Sequence, residues 1–201
     1  FFNSLSLVAI IGILFHIVRV DFFLFNLSFQ CKVISAWLTI TSRRKNMAKV
    51  DKFTRTGGKL VVESLCEENV KHVFGLIGSA GMEIFDSLYD EKKIKFIGVR
   101  DERTGTHMAD GYARASGSAG VILAGQNGPG VTNLVTGLAQ ASAAFSPVIA
   151  LAGCLSSEHQ YRDAFQEVDQ FSLLKPVTKK TYLVPSTARI PELVRDSFRT
   201  A

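Results

Sequence analysis

The stretch that decides the fold spans residues 120–144, GVILAGQNGPGVTNLVTGLAQASAA. It opens with a short apolar run, passes through a loop dense in glycine, and continues as a helical pattern. Pro129 suits the first turn of that helix, because a residue there has no intrahelical partner for an N–H group. A strand, a glycine-rich turn and a helix in succession form the repeating unit of an α/β protein.

The same unit recurs on both sides of this stretch. The residue patterns predict strands over 72–78, 94–100, 120–125 and 147–153, and helices over 54–70, 79–93, 102–117 and 128–144. A long loop over 154–171 passes into a short helix, an extended piece covers 177–184, and a last helix occupies 186–200. The strands are continuous apolar runs, which is typical of a parallel sheet covered on both faces. The sequence therefore predicts an open, doubly wound parallel α/β sheet.

In such a sheet, ligands bind beyond the carboxyl ends of the strands. The loops expected at that edge are 75–81, 100–103, 125–130 and 153–166. None of them carries a standard nucleotide motif: the glycines of GLIGSAG are spaced G-x-x-G-x-x-G, and no P-loop lysine or G-x-S-x-G elbow is present.

Charge and metal-ligand composition exclude several classes of function. The net charge of +5 comes mostly from residues 1–46, which contain five basic residues and one acidic one, so the remainder is nearly neutral and offers no basic face for nucleic acid. Three widely spaced cysteines, Cys31, Cys66 and Cys154, and four scattered histidines predict neither a disulfide framework nor a metal site. Reduced thiols favour a cytoplasmic location.

Residues 1–46 stand apart from the rest of the chain. Their apolar run over 5–18 is short for a membrane span and is followed by Arg19 and Asp21. Three interpretations remain open: translated upstream sequence before a start at Met47, a membrane anchor, or a targeting segment. We treat 1–46 as an extension and 47–201 as the folded domain, with membrane attachment not expected.

The helix predicted over 102–117 raises two questions. It contains Gly105 and Gly111, although an interior glycine costs a helix about 1 kcal/mol relative to alanine. Close packing against a second helix or a partner chain would explain both. It also begins with Glu102, and an acid at a helix N-terminus is stabilised by the macrodipole whether or not it has a further role.

Four segments, in order, carry a family resemblance: VFGLIGSAGMEIFDSL, RDERTGTHMADGYARASG, GPGVTNLVTGLAQA and DAFQEVDQFSLLKPVTK. From Met47 onward the chain resembles the N-terminal, pyrimidine-binding domain of thiamine diphosphate enzymes of the acetolactate synthase type. The resemblance implies that Glu102 is the catalytic acid, which hydrogen-bonds N1′ of the cofactor's aminopyrimidine ring and so activates C2 of its thiazolium ring. The activity implied is decarboxylation and ligation of 2-oxo acids.

The resemblance implies further site residues. Gly78 and Ser79 approach the cofactor, and Asn127, Gly128 and Pro129 lie beside the pyrimidine. Phe165 and Gln166 line the substrate pocket. His107 matches the family pattern, but a helix histidine with a purely structural role fits it equally well.

Some positions depart from the family pattern. Asp101, Arg103 and Ile77 replace the family's His, Gln and Pro, and Gln126-Asn127 replaces Thr-Ser. The QNGPG form looks more like sulfoacetaldehyde acetyltransferases, so that activity, or another of the family, is an alternative. A non-catalytic dimerisation module and a membrane-tethered fragment are two further alternatives.

The resemblance also implies that the family has further domains whose motifs are not found in this sequence. The family continues with a middle domain and a diphosphate domain, whose G-D-G segment helps to hold Mg²⁺, and no G-D-G occurs here. Mg²⁺ is expected to be held by that other domain, and FAD is a further candidate cofactor. The cofactor is expected between two chains of a homodimer or homotetramer, with the glycine-containing helix at the seam.

Overall fold

The computed structural model describes residues 55–201. In chain order its elements are α1 (Gly57–Glu67), β1 (His72–Gly75), α2 (Met82–Asp90), β2 (Lys95–Gly98), α3 (Glu102–Ser116), β3 (Gly120–Ala124), α4 (Pro129–Thr132), α5 (Leu134–Ala143), β4 (Val148–Ala152), α6 (Gln170–Leu174) and α7 (Ile190–Thr200). Short 3₁₀ turns cover Ser79–Gly81, Lys175–Val177 and Thr187–Arg189.

The four strands form one sheet in the order β2-β1-β3-β4. Every pairing is parallel: β1 lies between β2 and β3, and β4 pairs with the far side of β3. The chain therefore moves outward from β1 in one direction to β2, then crosses back to β3 and β4. This reversal opens a crevice at the carboxyl edge between β1 and β3, and the predicted open, doubly wound sheet is confirmed.

Helices cover both faces of the sheet. On one face, Val73, Val121 and Leu123 pack with α1, α2 and α7. On the other face, Phe74 and Ile122 pack with α3 and α5. Each central strand buries alternate side chains on opposite faces, which explains why its sequence is a continuous apolar run.

Local signals set the helix ends as predicted. The Thr56 hydroxyl accepts a hydrogen bond from the backbone N–H of Lys59 and caps α1. After the last residue of α3, Gly117 adopts φ 68°, the left-handed conformation that commonly follows a helix.

Most predicted elements differ from the structure only in the positions of their ends, and two differ by more than that. The helix expected over 128–144 is divided into α4 and α5 at Asn133, whose backbone nonetheless stays in the right-handed helical region. The extended piece 177–184 pairs with no strand of the described sheet. It is tied instead to α7, where Lys180 and Tyr182 both bind the Asp196 carboxylate.

The two glycines inside α3 have different surroundings. A Cβ on Gly105 would lie 2.6 Å from Ile122 Cδ1, because α3 is pressed against its own sheet at that turn. The expectation that Gly105 packs against a second helix or a partner chain is therefore wrong. A Cβ on Gly111 would meet nothing within 4 Å, so no contact in the described chain explains this glycine.

The predictions for residues 1–46, including Cys31 and the membrane-anchor alternative, lie outside the described residues. Among residues 55–201, no helix has the length and apolar character needed to cross a membrane.

Candidate functional site

Glu102 stands at the carboxyl edge of the sheet, where β2 leads into α3. The Asp101 carboxylate caps this helix by accepting a hydrogen bond from Arg103 N at 2.8 Å. Glu102 is the first residue of α3, and only 3% of it is exposed. An uncomplexed acid at a helix entry normally faces water, so the macrodipole alone does not account for a buried one.

The two oxygens of the Glu102 carboxyl group have different partners. Oε2 accepts a hydrogen bond of 3.1 Å from the side-chain amide of Asn133, between α4 and α5. Oε1 lies against Gly130, where a Cβ would approach it to 2.8 Å. Within residues 55–201, Oε1 accepts no hydrogen bond. A carboxyl group with one oxygen anchored leaves the other oxygen, Oε1, available to hydrogen-bond a ligand group.

The loops after β1 and β3 meet directly beside Glu102. A Cβ on Gly78 would lie 2.0 Å from the carbonyl oxygen of Gly125, so the two backbones touch at this point. Ser79 Oγ donates a 2.7 Å hydrogen bond to Gln126 Oε1. Gln126 Nε2 in turn donates to Asn127 Oδ1 at 3.2 Å.

Asn127 and Gly128 join these loops to the long loop after β4. The buried Asn127 amide donates to the carbonyl oxygens of Phe165 and Gln166, at 3.2 and 3.1 Å. Gly128 has φ 58° and ψ −103°, and a Cβ there would lie 2.1 Å from Gln166 O. Only glycine fits a backbone conformation and an approach of this kind.

The structure brings most of the predicted site residues into one continuous set of contacts. A Cβ on Gly130 would meet both Glu102 Oε1 and the side chain of Gln126, and Gln126 is hydrogen-bonded to Ser79 and to Asn127. Pro129 is exposed at the start of α4. His107 lies apart from this set, half-buried one turn further along α3.

Three residues of the site were missed by sequence reasoning: Gln126 and Gly130 as contacts, and Asn133 as the partner of Glu102. Gly130 and Asn133 belong to the quoted GPGVTN segment, so the motif contained the signal. Gln126 was noted only as a departure from the family pattern. Its bonds to Ser79 and Asn127 depend on how the loops fold together.

Metal-ligand chemistry is a separate question. Within residues 55–201, no group of three or more His, Cys, Asp or Glu side chains is arranged to hold a metal ion. Cys66 and Cys154 are both free thiols, and partial burial beside Glu91 raises the pKa of the Cys66 thiol. The residues at the carboxyl edge therefore do not fit Mg²⁺, and no chemical step here is assigned to a metal.

A second concave region lies along the free edge of β4. This cleft has a volume of about 910 Å³ and is lined mainly by apolar side chains from β4, α1 and α7. Neither Glu102 nor Asn127 lines it. The chemistry-bearing residues at the carboxyl edge are therefore the better candidate site.

A parallel doubly wound sheet with a buried carboxyl group at its crevice is typical of an α/β domain that binds a ligand at the carboxyl edge. The comparisons with known proteins specify the cofactor. Residues 55–173 match the family model described as "Thiamine pyrophosphate enzyme, N-terminal TPP binding domain". The chain thus belongs to this family, and the cofactor of the family is thiamine diphosphate.

Named relatives agree with this family. The chain is 43% identical over 145 residues to a probable acetolactate synthase large subunit of Methanocaldococcus jannaschii, an alignment covering 72% of this chain and 24% of that protein. It is 41% identical over 143 residues to the acetolactate synthase isozyme 3 large subunit of Escherichia coli, covering 71% and 25%. The chain spans about a quarter of the length of these curated relatives.

The described residues fit the aminopyrimidine end of thiamine diphosphate. That ring presents nitrogen donors and acceptors, and the buried Glu102 carboxyl group offers an oxygen with unused hydrogen-bonding capacity.

Proposed function

We propose that this chain binds the aminopyrimidine end of thiamine diphosphate and that Glu102 is the catalytic acid that activates it. The burial of Glu102, with only Oε2 engaged by a described residue, is the observation that supports this most strongly. In this proposal Oε1 holds the proton shared with N1′ of the ring, while Asn133 fixes the orientation of the carboxyl group. In the proposal, the burial of Glu102 limits competition from bulk water for this hydrogen bond.

Bound thiamine diphosphate supplies a nucleophilic carbon, C2 of its thiazolium ring, and an electron sink for decarboxylation. The role of this chain is then to bind and orient one end of the cofactor. Gly78, Ser79, Asn127, Gly128 and Pro129 surround the pyrimidine in the proposal, and Phe165 and Gln166 face the substrate.

The proposed substrates are 2-oxo acids, which the whole enzyme decarboxylates and ligates. The similarity to acetolactate synthase large subunits supports this class. The alternative of a sulfoacetaldehyde acetyltransferase activity depends on Gln126, whose side chain bridges Ser79 and Asn127. This alternative stays a prediction.

The proposal places the rest of the cofactor in another domain and another chain. Since the described residues do not fit Mg²⁺, the metal would be held by a diphosphate domain outside them. A homodimer or homotetramer would bring that domain to this edge. Exposed apolar side chains on the edge loops, Ile77 at 68% and Phe165 at 78%, suit burial by a partner. FAD binding stays a prediction.

The test is a domain replacement. Residues 55–201 replace the segment that they match in the Escherichia coli isozyme 3 large subunit, and we call the product the replaced-domain enzyme. The proposal expects it to release CO₂ from pyruvate only when thiamine diphosphate and Mg²⁺ are present. A folded, soluble replaced-domain enzyme that released none would contradict the proposal.

A further inference from the structure

The loop that carries Phe165 and Gln166 has an unusual backbone. Non-glycine residues with positive φ are rare, yet three occur within six residues here: Tyr161 at 61°, Asp163 at 50° and Gln166 at 60°. Such conformations persist only where the surroundings determine them. The loop must therefore be held by specific contacts.

Glu167 supplies contacts on one side of the loop. Its side chain turns back over the residues before it. Oε1 accepts a hydrogen bond from Tyr161 N, and Oε2 accepts from Ala164 N at 3.0 Å and from Arg162 N at 3.3 Å. These amide donors, Tyr161 and Ala164 first, lower the pKa of the Glu167 carboxyl group. One carboxylate thus satisfies three backbone donors that regular structure leaves unpaired.

Asn127 supplies the contacts on the other side. Its amide nitrogen donates to the carbonyl oxygens of Phe165 and Gln166, as described above. The loop is therefore held through its N–H groups by Glu167 and through its C=O groups by Asn127. We call residues 161–166 the clamped loop.

Side-chain packing does not hold Phe165 in place, because 78% of the residue is exposed. The direction in which its Cα–Cβ bond leaves the loop is therefore set by the backbone. Gln166 differs: its Oε1 atom is buried and accepts no hydrogen bond within the described residues. A buried acceptor without a donor is costly, so the clamped loop holds Gln166 in an arrangement that a ligand donor would complete.

We propose that Glu167 is a positioning residue, whose carboxylate holds the clamped loop so that Phe165 and Gln166 face the site beside Asn127 and Gly128. This inference rests on the proposed function for the identity of the site, and on the hydrogen bonds of Glu167 for the positioning itself.

The first test measures backbone amide exchange in the whole 201-residue chain. Glu167→Gln replaces the carboxylate by an amide that has one acceptor oxygen. Exchange at residues 161, 162 and 164 should become about tenfold faster or more, while exchange in β3 stays unchanged. Trypsin cleavage after the exposed Arg162 should rise by a similar factor. Glu158→Gln is the matched control and should change neither, because Glu158 is an exposed acid just before the clamped loop and has no described partner.

Wild-type exchange in Glu167→Gln, or equal changes in both variants, would overturn the inference. If Glu167→Gln loses protection in β3 as well, Glu167→Asp replaces it as the test. The aspartate keeps the charge but is shorter, so faster exchange confined to the clamped loop is again expected, and wild-type exchange again overturns the inference.

The second test separates positioning from a general structural role by using the replaced-domain enzyme. Glu167→Gln should raise KM for pyruvate about tenfold or more, since misplacement by about 1 Å costs up to about 100-fold. Proton exchange at cofactor C2 should stay at the parental rate, because Glu102 is untouched. An unchanged KM would overturn the positioning role. If the proposed function is wrong, the parental replaced-domain enzyme will show no proton exchange at C2. In that case the amide-exchange experiment alone decides whether Glu167 holds the clamped loop.

Discussion

The side-chain amide of Asn133 donates a hydrogen bond to Glu102 Oε2 over 3.1 Å, which joins the start of α3 to the helix that follows β3. This bond crosses the crevice between two βα units. It fixes a buried carboxyl group that has no other described hydrogen-bond donor. Asn133 itself is exposed, so the bond can be removed without opening the core.

Asn133→Ala tests this bond. We expect a loss of about 1 kcal/mol or more in the free energy of unfolding, because a hydrogen bond to a buried carboxyl group is removed. Urea denaturation measures it. Thr136→Ala, on the same exposed helix surface and without a described partner, is the control. Equal effects of the two variants would show that the Glu102–Asn133 bond contributes no stability.

The Asp110 carboxylate makes a second cross-helix connection. It accepts hydrogen bonds from Arg114 Nε and Nη2, at 2.8 and 2.9 Å, and from Gln140 Nε2 of α5 at 3.3 Å. The hydrogen bonds from Arg114 are the main cause that lowers the pKa of Asp110 below its ordinary value of 3.8. Because the folded-state pKa is the lower one, this stabilisation is complete above pH 3.8 and is lost as pH falls through the folded-state value.

Asp110→Asn should therefore cost about 1–3 kcal/mol at pH 7, and less at pH 3. Urea midpoints at the two pH values measure the difference. Glu67→Gln removes an exposed ion pair with Arg195 and should cost under about 1 kcal/mol at either pH. A cost of Asp110→Asn that is the same at pH 7 and pH 3 would contradict the assigned pKa direction.

Two helical glycines give opposite predictions on replacement by alanine. Gly137→Ala places a Cβ 2.5 Å from Thr106 Cβ, where α5 crosses α3, and should lower Tm. Gly111→Ala meets nothing within 4 Å and should stabilise the chain by up to about 1 kcal/mol, the helix-propensity difference. Thermal unfolding at low protein concentration measures both. A loss of stability in Gly111→Ala at this concentration would contradict the prediction, whereas a loss that appears only at high protein concentration would indicate a contact outside the single chain, such as the predicted seam between subunits.

The isolated chain should be inactive. Its described residues do not fit Mg²⁺, and in the proposal another domain would hold both the metal and the cofactor diphosphate. The purified 201-residue chain, given thiamine diphosphate and Mg²⁺, should release no CO₂ from pyruvate above the rate without protein. Cofactor-dependent release of CO₂ by this chain alone would contradict the proposal that a separate domain is needed to hold Mg²⁺.

Local sequence signals predicted the fold well. The Thr56 cap and the Gly117 helix end are set by residues within one turn, so they can be read along the chain. The apolar runs identified all four strands for the same reason. The division of the helix at Asn133 and the absence of strand pairing over 177–184 depend on contacts with other elements. The periodicity of apolar residues along the sequence gives no information about such contacts.

The site was predictable only in part. Glu102 became a candidate only through the family resemblance, because its place in the helix fits an ordinary N-terminal acid equally well. The prediction of what packs against Gly105 was wrong. The sequence shows that a side chain is missing at this position, but it does not show which neighbouring element fills that space. The hydrogen bonds of Glu167 were missed because residue types such as Tyr161 and Gln166 do not indicate the positive φ values that they adopt here.

Proton exchange at C2 of thiamine diphosphate in the replaced-domain enzyme tests the central claim most directly. With cofactor bound, Glu102→Gln should slow this exchange by about 100-fold or more, because the carboxyl proton shared with the ring is lost. Glu158→Gln should leave the rate at the parental value. A Glu102→Gln variant that binds the cofactor and exchanges the C2 proton at the parental rate would contradict the assignment of Glu102 as the activating acid.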